Sequence, residues 1–275
     1  MIRGKASDKK DGVIQLSTLA RTAALTAFVI LAGCGPRGGG ANGSSVSPPK
    51  SDEANYLSPP SVDGSRRLPG GRVFLFGQGP AGSRARMATP SGDAIFAAID
   101  RAGAWRLILP PPSEPRLYGL SVSQGGRSIQ AQGYVAVTPG GVALLRAGGG
   151  AVVFAPPGRN ARILALDFDR KGGAVVSGIG PPNGPVKVSV DGAVGGSMNA
   201  GADGRFSLAL DQPLAAGAHH LEVGAAGVDA AINPSPPLTN GPFRAERGGD
   251  LWRIDWMTPG GGMQTTLLFD EGVGA

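Results

Sequence analysis

Apolar and polar residues alternate along most of this chain in short runs. In "VKVSVDG", Val186, Val188 and Val190 fall on one side of an extended segment, and Asp191-Gly192 follows as a turn pair. "ADGRFSLAL" repeats the scheme, with Asp203-Gly204 as the turn and Phe206, Leu208 and Leu210 in step. "HHLEVGA" continues it through Leu221, Val223 and Ala225. A period of two predicts half-buried strands, and after residue 71 no helical period is sustained. Many short strands between glycine and proline punctuation predict an all-β chain built as sandwiches or a barrel.

The pattern occurs twice. A shift of 101 residues lays Gly77, Gly79 and Pro80 on Gly178, Gly180 and Pro181. The same shift lays Gly103 on Gly204, Trp105 on Phe206, Leu107 on Leu208 and Leu109 on Leu210, and later Leu120 and Val122 on Leu221 and Val223. Glycines meet at turns and apolar residues meet in alternation, as two copies of one fold require. The second copy, "G-x-G-P-P" then "V-x-V-x-V-D-G", "A-D-G-R-F-S-L-A-L" and "L-A-A-G-A-H-H-L-E-V", resembles bacterial immunoglobulin-like domains of cell-surface proteins. The likeness covers residues 174–230 well and 73–130 more loosely, and implies two Ig-like β-sandwiches in tandem, residues 71–157 and 158–270.

Each copy closes on a shared turn, Thr138-Pro139-Gly140-Gly141 in the first and Thr258-Pro259-Gly260-Gly261 in the second. The spacing there has grown to 120, which places an insertion of 19 residues near the loop-like "NPSPPLTNGPFRAER". Before the second turn, "DLWRIDWM" sets Trp252, Ile254 and Trp256 on one face, with Arg253 and Asp255 on the solvated one. Indole rings on a flat strand face can stack sugar rings, so Trp252 and Trp256 are the candidate ligand platform. The competing and preferred expectation is that they cover the core beneath the insertion.

The N-terminus supplies an address. Arg3, Lys5, Lys9, Lys10 and Arg21 precede the apolar "TAALTAFVILAG", which at 12 residues is shorter than the ~20 a bilayer-spanning helix needs. A basic start, a short apolar run and small residues are the layout of a secretory signal over residues 1–33. Leu31-Ala32-Gly33-Cys34 resembles the bacterial lipobox, which implies cleavage after Gly33 and lipidation of Cys34, the one cysteine in the chain. Gly35 rather than an aspartate after the cysteine implies, by the same resemblance, an outer-membrane destination. Residues 34–70, rich in Gly, Ser, Pro and charge, read as a disordered tether that holds the body ~35 Å from the membrane on average.

Candidate chemistry is sparse. "GQGPAG", Gly77 to Gly82, matches a dinucleotide fingerprint but is followed by Pro90 and Gly92 rather than by a helix, so nucleotide binding is not expected. His219 and His220 point to opposite faces of a strand and make a poor chelating pair. Asp167 and Asp169 share a face and read as a solvated pair; no metal site, cofactor or catalytic group is expected. The net charge of +6 is scattered, and half of it lies in residues 1–33, so no nucleic-acid footprint arises. The expected role is that of a lipid-anchored, non-catalytic envelope protein, structural or adaptor-like, whose partners are the membrane and another envelope protein or polysaccharide. The rival expectation is a carbohydrate-binding module on the same sandwich.

Overall fold

A computed structural model describes residues 58–270, residue 157 excepted. Leu31, Ala32, Gly33 and Cys34, and the spacer as far as residue 57, lie outside the described residues. The first repeat forms β1 (Gly64–Arg67), β2 (Val73–Gln78), β3 (Arg84–Ala88), β4 (Ala94–Ala98), β5 (Ala104–Leu109), β6 (Arg116–Gln124) and β7 (Arg127–Val137), continued by β8 (Val142–Leu145) and β9 (Val152–Val153). The second forms β10 (Arg162–Asp169), β11 (Ala174–Ile179), β12 (Pro185–Val190), β13 (Ala193–Asn199), β14 (Arg205–Ala209), β15 (Gly217–Val223) and β16 (Ala226–Ile232), continued by β17 (Phe243–Gly248), β18 (Leu251–Met257) and β19 (Met263–Phe269). Among the described residues there is no α-helix.

Strand order shows that the repeat is structural. β1-β2-β5 faces β4-β3-β6-β7 in the first copy, as β10-β11-β14 faces β13-β12-β15-β16 in the second. Three strands against four, all neighbours antiparallel and the fifth strand crossing back to the first sheet, is the Greek-key order of an Ig-like sandwich. The cores hold the expected residues: Trp105, Leu107, Leu109, Leu120 and Val122 in one, Val186, Val188, Phe206, Leu208, Leu221 and Val223 in the other.

The repeated glycines have a steric cause. Gly77 pairs across strands with Trp105, and Gly178 with Phe206. A Cβ on Gly178 would lie 2.1 Å from the Arg162 carbonyl oxygen and 2.7 Å from the Phe206 ring. On Gly77 it would lie 2.0 Å from the Ser61 carbonyl oxygen and 2.8 Å from the Trp105 ring. In both copies an aromatic ring lies over a bare glycine, and the backbone passes close on the other side. The turns match too, with the Gly79 N–H donating to the Gly103 carbonyl and the Gly180 N–H to the Gly204 carbonyl, at 2.9 and 2.7 Å.

Two expectations need correction. The fold begins before residue 71: Val62 joins the first core, and β1 pairs with β2 across Gly64 to Arg67. "GSRR" has no apolar residue, so composition assigns it to the tether; its backbone hydrogen bonds to the β2 edge bring it in. The two TPGG turns do close hairpins, β7–β8 and β18–β19, but these are not equivalent. The repeat counterpart of β7 is β16, while β17, β18 and β19 extend the opposite sheet along β10. β10 is eight residues long where its counterpart β1 is four, and the added strands cover an edge that would otherwise stay unpaired.

The two extended sheets pack against each other. Leu117, Ala136, Ala143 and Leu145 from the first meet Ala165, Ile254, Trp256 and Leu268 from the second in an apolar seam. The body is therefore four sheets deep, with a core inside each sandwich and the seam between them.

Candidate functional site

Trp252, Ile254 and Trp256 do share a face, as the alternation of "DLWRIDWM" requires, and that face is the seam. Trp256 has no exposed surface; its Nε1 donates to the Thr266 hydroxyl at 3.0 Å, and Tyr134 meets its ring edge-on at 5.8 Å. Trp252 is half-buried, with the Arg247 guanidinium 5.3 Å from its ring centroid. A stacking platform needs open rings, and the neighbouring sandwich covers Trp256 fully and Trp252 in part. The preferred expectation placed them over the core under the insertion; the covering element is instead β6, β7 and β8 of the other sandwich.

The opposite face of β18 is not solvated either. Asp255 is buried, accepting hydrogen bonds from the Thr265 hydroxyl at 2.6 Å and Arg244 at 2.7 Å, with Arg253 beside it. Burial pushes this carboxyl up, but the hydroxyl and the two guanidiniums outweigh it and hold the group below the usual carboxylate range. Isolated buried carboxylates are costly, and this one is buried because it is paired.

Asp167 is the polar centre of the seam. It lies on β10 beside Ala165 and receives the Ala151 N–H at 2.7 Å, the Thr266 hydroxyl and the Gln264 amide at 3.3 Å. The loop between β8 and β9 supplies the Ala151 N–H, and its Gly148 N–H donates to Gln264 at 3.1 Å. Burial raises the Asp167 carboxyl to about 6, against the pull of these donors and of Arg146. Its partner in sequence, Asp169, instead caps the turn at Lys171 and Gly173.

A raised folded value means that the native state holds the proton more tightly than the unfolded chain. This contribution is most favourable at acid pH and is lost as pH rises from about 4 to about 6, by up to about 3 kcal/mol. Urea melts at pH 4.5 and 7.5 test it: Asp167→Asn is expected to flatten that part of the profile, while costing about 1–3 kcal/mol at acid pH for the donor it leaves unmatched. An unchanged pH slope in the variant would remove Asp167 as the cause.

The remaining candidates make local contacts. His219 gives one ring nitrogen to Asp191 and the other to the Ala215 carbonyl, at 2.7 and 2.9 Å, and Asp191 raises its pKa. His220 pairs with Asp229 at 2.7 Å on the other face. No group of three His, Cys, Asp or Glu among the described residues could hold a metal. "GQGPAG" runs from β2 through a turn into β3, with no helix to meet a phosphate.

One surface was not singled out by sequence. On the outer face of β1-β2-β5, Phe76 and Ile108 are exposed and Phe74 half-exposed, beside Arg66 and Arg106. The two phenyl rings lie 5.8 Å apart, tilted by 31°, and Arg66 lies 5.2 Å from the Phe74 centroid. A shallow groove of about 530 Å³ runs over Phe74, Phe76, Gln78 and the two arginines. The signal was present in "RVFLFGQ", where Val73 and Leu75 fill the inner face and the outer one carries two phenylalanines.

No protein-family model matches the sequence, and no curated protein matches it. Among solved structures it is similar to one described as "Biofilm associated protein - BSP domain", at 14% identity and a TM-score of 0.22, over 66% of this chain and 30% of that one. The chain thus spans less than a third of that structure's length, and the fold assignment rests on the strand order instead.

Proposed function

We propose that this chain is a membrane-anchored, non-catalytic module of the bacterial envelope that holds another envelope component at a set distance from the membrane. The observation that carries this reading is the seam. Two tandem sandwiches on a flexible joint would present their surfaces in no fixed arrangement, whereas an apolar interface with Trp256 and Asp167 inside it makes a stiff block four sheets deep at the end of the tether. Among the described residues, Asp167 is engaged by three donors, Asp255 by Thr265 and two arginines, and both histidines by carboxylates. The lipobox-like Leu31-Ala32-Gly33-Cys34 supplies the anchor.

Cys34→Ser is expected to abolish incorporation of a fatty-acid analogue and to release the protein from the outer-membrane fraction, because the chain has no second thiol. Label persisting on the variant would overturn the anchor. For the holding role, a photocrosslinking amino acid at the exposed position of Val194 or Phe96 should trap a discrete envelope component in the anchored protein and lose it in Cys34→Ser. Hydrolysis of an envelope polymer by the purified protein would overturn the non-catalytic reading.

A further inference from the structure

The outer face of β1-β2-β5 has a counterpart inside the same molecule. In the second sandwich the equivalent face, β10-β11-β14, is where the first sandwich docks: Ala151 bonds Asp167, and Arg146 reaches the Ser207 hydroxyl at 3.4 Å. That face is lined by small residues, among them Ala165, Val175 and Ser177, which let a neighbouring backbone approach closely. In the first sandwich the same face is uncovered, and its chemistry is changed. Arg66 stands at the Asp167 position, Phe76 at that of Ser177 and Arg106 at that of Ser207. A second copy's loop, which brings backbone N–H groups and Arg146, would meet two arginines there instead of a carboxylate.

Size also argues against a protein partner. Three strands at ~4.8 Å spacing and five residues at ~3.3 Å make a patch on the order of 240 Å². A stable protein interface needs about 800 Å² per partner. A linear polymer crossing the strands needs no more than a patch of this kind. The outward side chains of the face offer aromatic planes and hydrogen-bond donors and no carboxylate; Asp100, from the adjoining turn, meets Arg106 at 3.7 Å in an exposed pair. Planar guanidiniums match carboxylates bidentately, and phenyl rings stack on the apolar faces of sugars.

We infer that the outer face of β1-β2-β5 binds a polysaccharide bearing carboxylates, with Phe74 and Phe76 under the sugar rings and Arg66 and Arg106 on the acid groups. This site goes beyond the anchored-module reading and does not depend on where the chain is anchored.

The test is native affinity electrophoresis of the full-length protein in mild detergent, in gels holding polygalacturonate, neutral dextran or polyphosphate. Polygalacturonate alone is expected to retard the protein. Phe76→Ala, and separately Arg66→Gln with Arg106→Gln, should each weaken it by about tenfold or more, the arginine pair with the melting temperature unchanged because both side chains are exposed. Lys187→Gln, at an exposed position of β12 in the other sandwich, should have no effect. Should either face variant lose its fold, Ile108→Ser replaces it as the probe. No retardation, equal retardation by polyphosphate, or retention unaltered in the face variants would overturn the site. So would sedimentation showing a dimer that these substitutions dissociate, which would assign the face to a second copy.

Discussion

Trp256→Ala is expected to lower the stability of the body by about 3–5 kcal/mol, the range for deleting a buried aromatic side chain. The ring has no exposed surface, and Tyr134, Ala143, Leu145 and Ile254 belong to the same seam. The substitution also strips the Thr266 hydroxyl of its indole partner, although Thr266 keeps its bond to Asp167. Since the seam joins two sandwiches that each have a core, its loss should separate their unfolding as well as weaken it. Calorimetry is expected to show one transition in the parent chain and two in the variant. Trp256→Phe, which keeps most of the apolar area and loses the hydrogen bond, should cost only about 1 kcal/mol beyond repacking. A variant melting as a single transition at the parent temperature would show that the seam does not couple the sandwiches.

Phe206→Ala should cost a similar ~3–5 kcal/mol, for a different reason. Phe206 lies in the second core at 3% exposure, its ring over Gly178 on the adjacent strand. Removing it leaves both a cavity and a bare stretch of strand. Gly178→Ala attacks the same contact from the other side, and its Cβ would also strike the Arg162 carbonyl oxygen at 2.1 Å. Combining the two should relieve the ring clash but not the backbone clash, so the double variant is expected to be less destabilised than the sum while remaining weaker than Phe206→Ala alone. Denaturant titration of the three variants measures this. Full additivity would mean that the ring and the glycine do not act as one unit.

The sequence by itself determined the alternating strands of the repeat, their inward faces and the repeat itself. Alternate side chains of an extended chain must point to opposite sides, so Val186, Val188, Leu221 and Val223 were legible as core without knowledge of what they touch. That Gly77 and Trp105 recur as Gly178 and Phe206 was legible in the sequence; that each glycine pairs with its aromatic across two neighbouring strands, which is the steric reason both recur, came from the structure. Only the tertiary structure decided what covers a strand's second face. "DLWRIDWM" presents two good faces, and alternation cannot say that Trp256 meets another sandwich while Asp255 is sealed among arginines. The same limit hid Asp167, a solvated aspartate by local pattern and the buried centre of an interface in space. Equal TPGG turns suggested equal hairpins, yet β18–β19 joined the sheet opposite to the one its sequence twin extends, because the long edge of β10 was there to be paired. Periodicity is a property of one strand; burial of both faces, edge pairing and the exposed Phe74–Phe76 surface depend on which other strands arrive, and that is set by the packing of the whole chain.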